Sequence, residues 1–311
     1  MDEILSSAVA AARPLTSRGR CADYIPALAG TDPSLVGLAL VDREGRAWTA
    51  GDARARFSLQ SVSKAIALAL VIEERGEEAV FSRVGREPTG DPFNSIIRLE
   101  SSRLGKPYNP LINAGAIVVS SLLPGRAPAE RVDALRAFMS RALRGSGAPG
   151  WEYAPAVDEA VYESERATGF RNRSIAWFLK ELGILEGEVD EALDSYFLQC
   201  SISVDALALA AFGAVLAFDG ELPRGGRLVS RRTARIVKSL MMSCGLYDGS
   251  GDFGVEAGLP AKSGVGGGIM ACAKGRYGIG TFGPALDDRG NSVAGVAMIA
   301  ALSERLELFA L

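Results

Sequence analysis

The stretch Leu59-Gln60-Ser61-Val62-Ser63-Lys64-Ala65-Ile66-Ala67-Leu68-Ala69-Leu70-Val71-Ile72-Glu73-Glu74-Arg75-Gly76 decides how the rest of the chain reads. Residues 63–75 are dense in helix formers, and Gly76 is the residue type favoured just past a helix C-terminus. Ser61 therefore sits at a helix start, three residues before Lys64, a spacing that puts both side chains on one helix face. Upstream, 35–41 and 46–50 are strand-like runs separated by Asp42-Arg43-Glu44-Gly45, the pattern of a β-hairpin. Downstream, 113–123, 128–143, 157–168, 172–181 and 204–218 read as helices broken by Gly- and Pro-bearing connections. After Gly258, strands return at 268–273 and 277–282, joined through Lys274-Gly275-Arg276, and a final helix is predicted over 292–308. Strands at both ends with helices between them predict an α+β fold: an antiparallel sheet built from both chain ends, flanked by helices, with an inserted mostly helical subdomain. No repeat or long linker interrupts it, so 1–311 reads as one domain, with a sheet-containing lobe at about 1–65 and 220–311 and a helical lobe at about 66–219.

Composition narrows the functions available. The 311 residues are 48% hydrophobic and 23% charged, enough to bury a large core. A net charge of -3 with a pI near 5.4 does not announce the basic face that a nucleic acid requires. The longest apolar stretch, 206–218, is too short to cross a bilayer and is expected to be a core helix. The acidic start Met1-Asp2-Glu3 lacks the basic region of a secretory signal, so a cytoplasmic location is expected. Cys21, Cys200, Cys244 and Cys272 are scattered without metal or redox spacing, and buried reduced thiols are expected. No metal and no cofactor is expected either.

The chain contains no histidine and only six lysines. A serine hydroxyl needs a base to become a nucleophile, and without histidine the Ser-Lys pair is the remaining documented arrangement. Alone, Ser61-x-x-Lys64 is weak, because six lysines yield roughly 0.4 such matches by chance. The second element is Lys262-Ser263-Gly264-Val265-Gly266-Gly267-Gly268 ahead of a predicted strand, since Ser-x-x-Lys pairs with a Lys-Thr-Gly triplet in penicillin-recognising enzymes. No helix-opening Gly-Lys-Ser/Thr follows a strand, so the glycines are not a phosphate loop. They are expected to let substrate or an oxyanion approach backbone N–H groups.

Seven ordered segments carry a resemblance: Asp23-Tyr24-Ile25-Pro26, Leu59 to Lys64, Pro107 to Ile117, Ser164-Glu165-Arg166 through Arg171-Asn172, Tyr196 to Ser201, Ser243 to Asp248, and Leu259 to Val265. With these the chain closely resembles the serine-dependent glutaminases, which share their fold with serine β-lactamases and penicillin-binding proteins. The resemblance runs from about Tyr24 to the carboxyl end. It implies hydrolysis of the L-glutamine side-chain amide to L-glutamate and ammonia through an acyl-enzyme, with Ser61 as nucleophile and Lys64 as its base. Tyr247 would stand near both, and whether Tyr196 or Tyr247 handles the proton stays open. Backbone N–H groups of Ser61 and Val265 would form the oxyanion hole. Asn113, Glu165, Asn172 and Tyr196 would hold the amino-acid end, with Tyr24, Gln60 and Lys262 as further contacts. A homo-oligomer, dimer or tetramer, is expected, with no nucleic acid and no membrane partner.

The chemistry is coherent on its own terms. Glutamine needs a carboxylate for its α-ammonium, which Glu165 supplies, and donors for its α-carboxylate, which Asn113, Asn172 and tyrosine hydroxyls supply. Lys64 must shed its proton, so desolvation and a second cation such as Lys262 are expected to depress it. Taken singly, Glu165 beside Arg166 reads as a solvated ion pair, Asn113 and Asn172 as helix N-caps, and the tyrosines as core rings. Two other functions fit parts of the pattern. A β-lactamase- or transpeptidase-like enzyme would need a Ser-Asp-Asn element that has no counterpart here. A catalytically inactive amino-acid-binding or scaffold protein would keep the fold and lose ammonia release.

Overall fold

The hairpin is present as β1 (Gly37–Asp42) and β2 (Ala47–Gly51), antiparallel with Gly37 opposite Gly51 and Val41 opposite Ala47. Its turn is held by Asp42, whose Oδ1 accepts from the backbone N–H groups of Glu44 at 3.0 Å and Arg46 at 2.8 Å. The computed structural model describes residues 1–90, 94–95, 105–148 and 155–309. Within them, β3 (Phe57–Ser58), β4 (Ala156–Val157) and β5 (Ile202–Val204) form a small sheet in the order β3-β5-β4. The larger sheet adds β6 (Ala261–Ser263), β7 (Gly268–Ala273) and β8 (Tyr277–Phe282) in the order β2-β1-β8-β7-β6, antiparallel at every pairing. The fold is α+β, with its main sheet assembled from both ends of the chain.

Both faces of that sheet are covered. Leu38, Leu40, Ile269 and Ile279 pack in one core with residues of the Asp2–Ala12 and Val293–Arg305 helices. Ala39, Val41, Met270 and Cys272 belong to the other core, with the Ala206–Ala217 helix. All six β1 residues are consequently buried, which is why 35–41 reads as a nearly continuous apolar run.

The Ala206–Ala217 helix is buried over all twelve residues, as expected of 206–218. It lies within the stretch assigned to the helical lobe, yet it packs on the sheet at backbone distance. A Cβ at Gly278 would stand 2.0 Å from Ala210 O, and one at Gly280 would stand 1.9 Å from Ala206 O. Glycines on the strand and alanines on the helix together set that approach.

The predicted helices are found at Ser63–Phe81, Asn113–Ser121, Pro128–Ser146, Glu159–Thr168 and Phe170–Glu181. Gly76, at φ 82° and ψ 164°, breaks the first of them, and helix resumes beyond it. Sequence reading passed over Asp2–Ala12, Val189–Cys200 and Arg231–Cys244, all three small strands of the second sheet, and β6. The available signal for Arg231–Cys244 was Ser230, whose side chain caps the helix by accepting from Thr233 N–H at 3.0 Å. All four cysteines are free thiols, but only Cys200 and Cys272 are buried; Cys21 and Cys244 are half-buried.

Candidate active site

The turn that carries Ser61 is built by sheet pairing. Beyond β3, Leu59 N–H donates to Ile202 O at 2.8 Å, and Gln60 then takes a left-handed φ of 47°, swinging the chain into a 3-10 turn and the Ser63–Phe81 helix. Ser63 Oγ donates to Gln60 O at 2.7 Å and Gln199 Nε2 to Ser63 Oγ at 3.3 Å, while Gln199 Oε1 accepts from Ser120 Oγ at 3.0 Å. This wholly buried chain of polar groups sits under the turn and holds a backbone conformation that a non-glycine residue adopts only under constraint.

The glycine run after Lys262 meets the same turn. A Cβ at Gly264 would lie 2.5 Å from Leu59 O, and one at Gly266 would lie 2.3 Å from Ser58 O. At these two positions the glycines let the end of β6 touch the serine turn.

Ser61 borders a cavity of about 100 Å³ together with Tyr24, Gln60, Asn113, Glu165, Asn172, Tyr196 and Val265, so eight of the eleven expected site residues meet there. The other three do not line it but contact residues beside it. Lys64, 1% exposed, donates from Nζ to Asn113 Oδ1 at 2.6 Å, and that nitrogen lies 5.8 Å from the centroid of the Tyr196 ring. Asn113 Nδ2 donates to Asn172 Oδ1 at 2.8 Å. Neither asparagine caps a helix: Ile112 and Gly169 hold the N-cap positions. Tyr247, at φ 56°, shares a hydrogen bond with the Ser61 hydroxyl and donates to Ser263 O at 3.2 Å. Lys262 Nζ donates to Gly245 O at 2.8 Å and Ser263 O at 2.5 Å, 4.4 Å from the centroid of the Tyr247 ring.

Burial tunes every ionisable group in the cluster. It pulls the Lys64 ammonium down from 10.5 to about 8, against the opposing pull of Cys200 and Glu165. Lys262 is pushed well below its usual value by burial first and by Lys64 second. The expected repulsion between the two lysines therefore falls on Lys262, whereas Lys64 responds to desolvation. Glu165, 8% exposed, is raised to about 7 by burial, with a Gln60 hydrogen bond and Lys64 acting in the other direction. Its neighbour Arg166 approaches Glu163 at 3.9 Å and Asp194 at 3.8 Å instead, so Glu165 is not half of a solvated pair. Tyr196 and Tyr247 are raised by burial and remain phenols at neutral pH, as does Tyr24, which is 55% exposed and is raised also by Tyr247 and Glu165 beside it. The Cys200 thiol, hydrogen-bonded to Tyr196 and Ser63, is raised to about 12, again chiefly by burial.

Sequence reading missed Arg171, Thr168 and Asn94, which line the same cavity. Arg171 is the one cation among the described residues lining it, and it directly precedes Asn172 in a quoted segment.

A glutaminase family model matches residues 19–310. The chain belongs to the glutaminase family. A glutaminase of Clostridium botulinum is 46% identical over 309 residues, 99% of each chain. The crystal structure of a Bacillus subtilis probable glutaminase superposes with a TM-score of 0.90 at 37% identity, over 99% of this chain and 96% of that one. A second crystal structure of a Bacillus subtilis glutaminase, at TM-score 0.87 and 34% identity over 100% of this chain and 99% of that one, is a covalent complex with 5-oxo-L-norleucine formed from 6-diazo-5-oxo-L-norleucine. This family member is accordingly an enzyme that hydrolyses glutamine. Among the described residues, no helix is long and apolar enough to cross a membrane.

Proposed function

We propose that Ser61 Oγ attacks the side-chain amide carbon of L-glutamine, forming a γ-glutamyl ester that water then cleaves to L-glutamate. The observation that carries this reading is the Ser61 hydroxyl, hydrogen-bonded to Tyr247, at a small cavity that also holds the Glu165 carboxylate. As Ser61 Oγ bonds to carbon, its proton passes to the neutral fraction of Lys64, directly or through Tyr247. Tyr247 then relays that proton from Lys64 to the departing nitrogen, so ammonia leaves as the C–N bond breaks and Lys64 and Tyr247 return to their starting protonation states. Its contact with Ser61 favours Tyr247 over Tyr196, whose hydroxyl is engaged with Cys200. Water repeats the sequence against the ester, restoring Ser61 and Lys64.

The Ser61 and Val265 N–H groups carry the charge that develops on the carbonyl oxygen. Glu165 faces the α-ammonium, and Arg171 with the asparagine and tyrosine groups faces the α-carboxylate. A cavity of about 100 Å³ suits one amino acid and is well below the size of sites for drug-sized ligands. The Bacillus subtilis covalent complex supports the nucleophile, because 6-diazo-5-oxo-L-norleucine shares glutamine's α-amino-acid end and carries a ketone where glutamine has its amide carbonyl.

Two measurements on Ser61→Ala test the assignment. Glutamate release should be abolished in a folded protein, and intact mass after treatment with 6-diazo-5-oxo-L-norleucine should show an adduct on the unsubstituted chain alone. A Ser61→Ala protein that turns over glutamine at near-normal rate, or that is labelled at the same site, overturns the reading.

A further inference from the structure

A second opening, sharing no residue with the cavity at Ser61, lies between the Arg231–Cys244 helix and the ends of β6 and β7. Its volume is about 730 Å³, within the range of small-molecule sites. Arg231, Arg235, Lys238 and Met242 recur at i, i+4, i+7 and i+11 and so present one helix face to it. Arg232 adds a further cation from the helix, and Lys274 reaches in from the β7–β8 hairpin turn. Pro260 and the buried Cys272 supply apolar wall. Five cations thus face one lining carboxylate, Asp219, in a chain whose net charge is -3.

Two of the five are neutralised within the protein. Arg232 binds Glu77 through two nitrogens at 2.6 and 3.0 Å, and Lys238 Nζ donates to Asp219 Oδ1 at 2.5 Å. The other three are paired less closely. Arg231 comes only to 3.9 Å from Glu221, a carboxylate already bonded by Arg43 and, at 2.7 Å, by Arg227. Among the described residues, Arg235 and Lys274 form no direct ion pair. Arg231 and Lys274 interact with Asp219, and Arg235 with Glu77, but those carboxylates already pair more closely with Lys238 and Arg232; cations still outnumber carboxylates around the groove, and a multiply charged anion relieves their repulsion. A monovalent ion would not be held, since single contacts at a site open to water are weak and screened.

We propose that this groove binds a small organic anion carrying at least two negative charges, a phosphate ester or a polycarboxylate. Its charged groups contact Arg231, Arg235 and Lys274, and its carbon skeleton lies against Met242 and Pro260. None of these residues belongs to the machinery assigned to glutamine hydrolysis, so the site stands or falls independently of that mechanism.

Isothermal titration of the full chain with fructose 1,6-bisphosphate and with citrate, each against sodium chloride at matched ionic strength, separates the two ligand sources. One-to-one binding of at least one of them is expected. Arg235→Gln combined with Lys274→Gln should weaken it by about tenfold or more, with unliganded glutamine turnover unchanged as proof of folding. The charge-retaining pair Arg235→Lys with Lys274→Arg should stay within a few-fold. Equal binding by the Gln variant, no binding beyond that seen with sodium chloride, or a loss of self-association in place of a loss of anion binding would each overturn the proposal.

Discussion

Lys64 Nζ donates to Asn113 Oδ1 over 2.6 Å, and the amide nitrogen of that same asparagine donates to Asn172 Oδ1 over 2.8 Å. One side chain thus links the lysine to a residue lining the cavity. Anchored in this way, the Lys64 amine is held near the serine turn while burial, rather than a neighbouring cation, brings its proton within reach of release at mildly alkaline pH.

The pH profile should show both titrations. As the proposed base, Lys64 has to be neutral, and it is depressed to about 8; as the proposed partner of the α-ammonium, Glu165 has to be ionised, and it is raised to about 7. In glutamate-release assays, kcat should rise with pH and level off above about 8, and kcat/KM should fall more steeply below about 7, where both groups are protonated. Because the two groups interact, the apparent values belong to the cluster. Lys64→Arg cannot shed a proton and should lose about 10²- to 10⁴-fold in kcat. A folded Lys64→Arg enzyme within a few-fold of the unsubstituted rate shows that Lys64 is not the base.

What could be read from the sequence follows a physical divide. Local signals placed the hairpin closed by Asp42, the glycine break at Gly76, and strands β7 and β8 at their observed bounds. The short strands β3, β4 and β5 escaped because two or three residues carry no periodicity; only their pairing across the fold defines them. The same holds at the site. Residue identity suggested Ser61, Lys64 and Glu165, whereas the Gln199 bridge under the serine turn depends on contacts between helices distant in sequence. At Gly264 and Gly266 the need for glycine is not legible locally, since nothing nearby in the sequence reveals that the Leu59 and Ser58 carbonyls stand where their side chains would be.

Glu165→Gln should trade binding for stability. Its carboxyl is raised from 4.5 to about 7 in the fold, so the native state binds the extra proton between those values and the ionised form is the one that folding disfavours. That penalty is absent below about 4.5 and complete above about 7, where it reaches about 3 kcal/mol at most. The glutamine variant should therefore melt higher than the unsubstituted enzyme at pH values above about 7 and show no such gain in acid. KM for glutamine should rise about tenfold or more from loss of a charge-assisted contact. Unchanged KM with lower melting temperature at every pH would make Glu165 a structural group only.

Arg171 offers a separate test of how the amino acid is oriented. Removing the only cation among the described residues lining the cavity, as Arg171→Gln, should raise KM for glutamine by about tenfold and leave kcat within a few-fold. An inhibitor series sharpens the readout: L-glutamate should lose affinity with the substitution, while its α-amide, lacking the carboxylate charge, should not. Equal losses for both compounds would place Arg171 elsewhere than at the α-carboxylate.

Gly264→Ala probes whether contact between β6 and the serine turn sets the catalytic geometry. The added methyl would begin 2.5 Å from Leu59 O, a backbone atom that cannot rotate away, so either the strand or the turn must move. Movement of the turn displaces Ser61, and movement of the strand displaces Lys262 and Val265. A shift of about 1 Å in a catalytic constellation can cost on the order of 10²-fold in rate, whereas overpacking of this kind destabilises a fold by about 1–3 kcal/mol. Gly264→Ala should therefore lose about 10²-fold in kcat at a temperature where circular dichroism shows it still folded. Gly30→Ala is the matched control, because a Cβ there meets nothing within 4 Å. Should Gly264→Ala keep full kcat at that temperature, the close approach is packing alone and the position of Ser61 is set by β3, β5 and the buried Ser63–Gln199–Ser120 chain.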